Sequence, residues 1–372
     1  MSIENFLLVL STSITGTLVA IGGIITFIYA FRRKNRLIFL FSAMWLMYAI
    51  FWFIDAAAHY LYSIPLMALA IVPQLIGVPC IIIFIELSRK ENINPIKISI
   101  LMIIEALVFI VTFYVPDNWE IIPGYGIHNK GILRISQVIF LFYFMIFYVL
   151  WSFQTWRKAP ADLKRLTSYL LFGSTIFSIV TGAMYAIGTF IRTFNAIGFF
   201  FNGIGAFITI LVILKDPRII YILPFKAYRI LVVDTRASVA LFKYDWAKAG
   251  EVEENIFTMM FQAIGNVLED ILKKGDVQEI QMDQAVLLIN HNKENSTVSV
   301  LIASKSSKSL RYGLKRFNEE FDAHFRSNLE GSRKVSDFNE GFKIVEQVFD
   351  FVPSYKSEII QSKTYLRSGE NG

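Results

Sequence analysis

Apolar residues fill seven long stretches of the first 215 or so positions, at about 5–31, 37–62, 64–87, 97–115, 132–156, 166–190 and 195–214. Polar and charged residues gather in the short segments between them. A run of about 20 apolar residues is long enough to cross a bilayer as a helix. Backbone polar groups cannot stay unpaired in lipid, so each run is predicted to be helical. The pattern predicts an all-α seven-helix membrane bundle over residues 1–215, then a connector over 216–227 that is apolar and basic. From there the pattern changes to that of a water-soluble domain, predicted over 228–352, with a tail over 353–372.

Within that domain the apolar positions change period. Tyr228–Thr235 and Val239–Asp245 read as two strands joined by a tight turn. Ile256, Met260, Ala263, Val267 and Ile271 recur every three or four residues, the spacing of one helix face, and predict a helix over 252–274. Three strands are predicted at 277–282, 285–290 and 297–304, the last two joined by a turn rich in Asn, Lys and Glu. A long helix over 309–329 carries Leu310, Leu314, Phe317, Phe321 and Phe325 on one face, and a last helix over 336–351 carries Phe338, Phe342, Val345 and Phe349. The expected order is ββαβββαα, an α/β (α+β) domain with one sheet covered by helices. The tail is expected to be poorly ordered.

Charge gives the bundle a direction. The net charge of +6 divides into +7 up to residue 215 and −1 beyond it, so the basic excess belongs to the apolar half and is no sign of nucleic-acid binding. One set of alternate loops holds Arg32, Arg33, Lys34, Arg36, Arg89, Lys90, Lys97, Arg157, Lys158, Lys164, Arg165 and Lys215. The other set holds only Lys130, Arg134 and Arg192. By the positive-inside rule the N-terminus is expected outside the cell membrane and the C-terminus in the cytoplasm. Arg32, Arg33, Lys34, Arg157 and Lys158 are then candidates for the basic inner membrane surface. The first run lacks a basic segment ahead of it and is expected to stay as an anchor, not to be cleaved. The glycosylation sequon Asn295-Ser296-Thr297 falls in the cytoplasm on this topology and is expected to be unmodified.

Polar residues inside apolar runs are the candidate ligand-binding groups, because an ionisable side chain in lipid is costly. Glu105 lies mid-run in the fourth stretch. Asp55 and His59 are four apart and share a helix face; a pH- or ligand-sensitive pair and an ordinary interfacial pair are both open readings. Gln74 sits beside Pro73, Gly77 and Pro79, where proline favours a kink. Ser174, Ser178, Gly182 and Ala186 form a small-residue stripe expected to pack against a neighbouring helix. Glu86, at the end of the third run, is expected to be solvated. The segment 116–131, with Trp119, Pro123, Gly124, Tyr125, Gly126 and His128, reads as a long loop able to cover a pocket.

The chain has no P-loop, GxGxxG, GxSxG or HExxH motif. His59, His128, His291 and His324 lack metal-type spacing, and Cys80 is the lone cysteine. No cofactor, metal or enzymatic role is expected. The last run, 195–214, has no lysine, which excludes a retinal Schiff base there.

The element order and apolar faces of residues 226–352 resemble the longin/roadblock-like family of small adaptor domains. The seven-helix part is similar in layout to the sensor regions of archaeal and bacterial signalling proteins. These resemblances imply a non-catalytic docking module, for a small GTPase or another cytoplasmic protein, behind a bundle that answers a small-molecule or lipid ligand. The alternatives are a transporter or channel with a regulatory domain, and a membrane-anchored trafficking scaffold.

Overall fold

The computed structural model describes residues 2–33, 35–90, 92–188, 190–234, 236–237, 239–246, 278–283, 285–292, 295–331 and 333–354. The helix expected over 252–274, the start of the strand expected at 277, Lys34 and the tail beyond 354 lie outside the described residues. The chain divides into two units, one of Met1–Ala159 with Leu163–Ile220 and one of Pro160–Asp162 with the chain from Tyr221 on.

The first unit is built from seven helices, each long and apolar enough to cross a membrane. They are α1 (Ile3–Arg33), α2 (Arg36–Leu61), α3 (Ile64–Lys90), α4 (Pro95–Tyr114), α5 (Gly131–Lys158), α6 (Ala161–Gly188) and α7 (Thr193–Lys215). Local chemistry sets their ends. The Asn35 side-chain oxygen accepts from the N–H groups of Leu37 and Ile38 at 3.1 and 3.2 Å, and Asn94 accepts from Ile96 at 3.0 Å. Both are N-caps, and Pro95 follows the second cap, where its missing N–H is not needed. A short 3-10 turn, Pro217–Tyr221, follows α7. Large apolar side chains point away from the bundle, Ile103 at 70% and Phe142 at 58% exposed, as a lipid-facing surface requires.

α1 packs against both α2 and α7, α2 also packs on α3, and α3 meets α4 and α5. The middle is filled with rings. Trp45, fully buried, meets Phe41, Tyr148 and Phe177 edge-on, with centroids 5.7, 6.4 and 5.5 Å apart. Polar hooks tie the rings to α6 and α7. The Tyr48 hydroxyl donates to Asn202 Oδ1 at 3.0 Å, and Asn202 Nδ2 donates to the Phe177 carbonyl at 3.2 Å.

Two sequence expectations change here. The sixth helix is α-helical at both ends but π-helical over Ile176–Val180. That wider turn shifts the buried face, so the stripe drawn at constant four-residue spacing holds only at its start. Ser174 and Ser178 are buried, whereas Ala186 is exposed and a Cβ on Gly182 would meet nothing within 4 Å. The close approach to α7 is made by Gly173 and Gly205: a Cβ on Gly205 would stand 2.4 Å from the Phe177 nitrogen. Glu86 is not solvated either. It is 2% exposed and paired with Lys97 Nζ at 2.6 Å and Arg89 at 3.7 Å.

The second unit holds a five-stranded antiparallel sheet in the order β4-β3-β7-β6-β5, where β3 is Ala227–Asp234, β4 Val239–Asp245, β5 Glu279–Gln281, β6 Val286–Asn292 and β7 Thr297–Ala303. On one face Leu231, Val233, Leu287, Ile289, Val298, Val300 and Ile302 form a single buried cluster. On the other face lie α8 (Lys308–His324), α9 (Arg326–Glu330), a 3-10 turn at Val335–Phe338 and α10 (Gly341–Val348). Ser299 of β7 bonds Asn318 of α8 across that interface at 2.7 Å. The long helix expected over 309–329 is broken at Phe325, whose ring packs on Phe321 and Phe338 at 4.7 and 5.2 Å. Asp234 ends β3 with its buried carboxylate 2.9 Å from Arg333, and Arg333 also donates to the Asn295 and Leu329 carbonyls. His291 lies in β6 opposite Val298, not in the turn expected for it.

Candidate functional site

Between α4 and α5 the chain does not form the loop that its Pro and Gly content suggests. It makes a hairpin, β1 (Trp119–Ile122) and β2 (Gly126–Asn129). The tip is a turn through Pro123 and Gly124, closed by Tyr125 N–H donating to the Ile122 carbonyl at 3.0 Å. Gly124 has φ +80, the left-handed value that a type II turn demands after proline. The base is drawn together by Asn118. Its Nδ2 donates to the Val111 and Val115 carbonyls at 2.8 and 3.0 Å, and its carbonyl accepts from Lys130 N–H at 2.9 Å.

The hairpin is latched to the ends of three helices. Ile127 N–H donates to His59 Nδ1 at 3.3 Å. Asn195, at the start of α7, donates from Nδ2 to the Tyr125 hydroxyl at 2.6 Å. Ser2, before α1, donates to the Gly124 carbonyl. Ile127 and Tyr125 are buried, and Ile127 packs with Ala58 and Met67. Gly126 makes the approach possible: it has φ +130, and a Cβ there would stand 2.4 Å from His59 Nδ1.

The latch fixes the state of His59. Since Nδ1 accepts a hydrogen bond, the ring proton of the neutral imidazole sits on Nε2. Nε2 faces Asp55 Oδ2 at 3.8 Å, beyond hydrogen-bond reach, and both side chains are buried. Asn5 of α1 closes the network, donating to the Tyr62 hydroxyl at 2.6 Å and to the His59 carbonyl at 3.5 Å. Around the hairpin, the Arg192 guanidinium lies over the Tyr125 ring at 5.4 Å. Burial first, and then the charges of Arg134 and Arg192, hold the His128 imidazole below its usual range. Burial pushes the Tyr125 phenol above its usual range.

Of the candidate ligand-binding residues, Asp55 and His59 meet here and the others do not. Gln74 lines an apolar gap with Met44, Tyr48, Pro73, Gly77 and Phe144, to which neither Asp55 nor Glu105 contributes. Glu105 is 7% exposed on α4, and its Oε1 has no hydrogen-bond partner among the described residues. Arg32, Arg33, Arg157 and Lys158 are exposed at the ends of α1 and α5, the end of the bundle opposite the hairpin. Among the described residues no three His, Cys, Asp or Glu side chains gather as a metal site. Ile127, Asn195, Asn5 and Ser2 were not among the candidates, and Gly126 was named only as part of the loop. The Pro-Gly pair between Ile121-Ile122 and Ile127 is a hairpin signal that could have placed Gly126 and Ile127. No protein-family model matches the chain, and no curated protein and no solved structure matches it either.

Proposed function

We propose that this chain is a receptor-type membrane protein, with the hairpin end of the bundle as its input and the second unit as a non-catalytic docking output. The observation that carries the reading is the latch. A hairpin held by His59, Asn195 and Ser2 touches the ends of α1, α2 and α7 at once, so a ligand that lifts or tightens it acts on three helices together. The exposed basic residues at the opposite end support an orientation with the hairpin outside and the second unit in the cytoplasm. The antiparallel sheet, followed by helices after its last strand, supports the longin/roadblock-like reading and with it a small GTPase as partner. The helix that this reading needs between β4 and β5 lies outside the described residues.

The test uses the full chain in nanodiscs, with capture of small GTPases loaded with a GTP analogue or with GDP. Nucleotide-dependent capture that changes in Gly126→Ala, where the latch is disturbed, supports the reading. Capture of none removes the GTPase partner, and capture indifferent to the hairpin removes the receptor role. Glu105 favours a second reading, a transporter, because a mid-helix carboxyl whose Oε1 has no hydrogen-bond partner among the described residues suits a proton or cation path. Flux in proteoliposomes that is lost in Glu105→Gln would establish it.

A further inference from the structure

We propose that the network beneath the hairpin binds a small ligand through a primary ammonium group, with the hairpin as its gate. This rests on the receptor reading above and names the ligand class for the same site. Within the network the atoms left without hydrogen-bond partners among the described residues are acceptors: Asn5 Oδ1, Asp55 Oδ2 and Asn195 Oδ1. The three residues are 0%, 6% and 6% exposed, so bulk water does not supply the missing donors. Both amides are oriented by carbonyls. Asn5 Nδ2 faces the His59 carbonyl and Asn195 Nδ2 the Gly188 carbonyl, which leaves Oδ1 as the free atom in each. Gly188 admits the Asn195 side chain, since a Cβ there would come within 2.0 Å of Asn195 Oδ1.

The three acceptors belong to one connected set. Asn5 and Asp55 both border His59, His59 holds Ile127, and Asn195 holds Tyr125 two residues earlier on the same hairpin. One carboxylate and two amide oxygens match an ammonium, which has three N–H donors and no acceptor, and whose charge balances the buried carboxylate. Entry requires the hairpin to lift. The residues flanking it, Asp117 at φ +61 and Gly131 at φ +56, both sit in the left-handed region at its two bases, where a change in backbone angles would swing it as a body.

The experiment is hydrogen exchange of residues 119–129 in the full-length protein in nanodiscs, titrated with ethylammonium, tetramethylammonium or sodium at constant ionic strength. Ethylammonium should slow hairpin exchange saturably. Tetramethylammonium, which has no N–H donor, and sodium should not. Asp55→Asn, nearly the same shape, should raise the half-saturating concentration roughly 10- to 100-fold, as loss of one charge-assisted hydrogen bond implies. Equal responses to all three cations in the wild-type protein, or none, would overturn the proposal whatever the variant does. Should ethylammonium protect the hairpin while GTPase capture stays unchanged, the site stands and the receptor reading falls. Capture that follows the hairpin while no ammonium acts would sink the ligand class alone.

Discussion

Replacing Gly126 by alanine places a methyl group against the latch. The added Cβ would stand 2.4 Å from His59 Nδ1, and φ +130 is a backbone angle that a side chain rarely adopts. Holding that angle costs about 1–3 kcal/mol. If His59 yields instead, Ile127 N–H loses its acceptor inside a buried site, which costs about 1–3 kcal/mol more. Together these raise the open population of the hairpin at least ~30-fold, since each 1.4 kcal/mol is about a factor of ten. Amide exchange across 119–129 in nanodiscs reads that population directly, with Ile127 as reporter. Adding His59→Ala to Gly126→Ala removes the collision but not the backbone strain, so the pair should show a coupling of roughly 1–3 kcal/mol. Wild-type exchange in Gly126→Ala would refute the latch. Equal acceleration in all seven helices would mean general loosening and would refute it as well.

Three further outcomes follow from the same geometry. His128 is held below its usual range by burial, so between its folded value and the ordinary histidine value near 6.5 the open hairpin binds more protons than the docked one. Hairpin protection is therefore complete above that window and falls as pH drops through it; exchange corrected for intrinsic rates at pH 8 and 5.5 checks this, and a flat profile refutes it. Asp234→Ala leaves the buried Arg333 guanidinium without its 2.9 Å partner and should destabilise the second unit by about 3–5 kcal/mol, read as earlier thermal proteolysis of the β3–β4 region in the full chain. Gly205→Ala, which drives a Cβ against the Phe177 nitrogen, should cost the bundle about 1–3 kcal/mol in detergent melts, whereas Gly182→Ala, with open space around it, should cost nothing. Equal effects of the two glycine substitutions would disprove the shifted α6 face.

How far the sequence could be read depended on which groups carry each feature. The spans were legible because length and hydropathy alone decide them. The strands β3, β4, β6 and β7 were legible because short apolar, β-branched runs such as Ile230–Val233 are bounded by turn residues. The break at Phe325 was not, because the apolar period continues through it and only packing on Phe338 favours bending there. The π-turn in α6 was hidden for a related reason. A single wider turn leaves composition untouched but moves every later residue around the axis, which is why Gly182 and Ala186 left the interface.

The candidate site illustrates a deeper limit. Asp55 and His59 could be paired on paper because they are four apart on one helix. The partner of His59 across the interface is a backbone N–H, and the residue that admits it is a glycine. Neither has a side chain whose chemistry a sequence scan weighs. An amphipathic stripe predicts what a helix buries, but it says nothing of which main-chain donor will arrive from 68 residues further along the chain. What the sequence does supply is the cost. A histidine and a carboxylate inside an apolar run need partners. For His59 the partner proved to be a hairpin whose turn is written in Pro123 and Gly124, and whose docked position is explained by the polar atoms it meets.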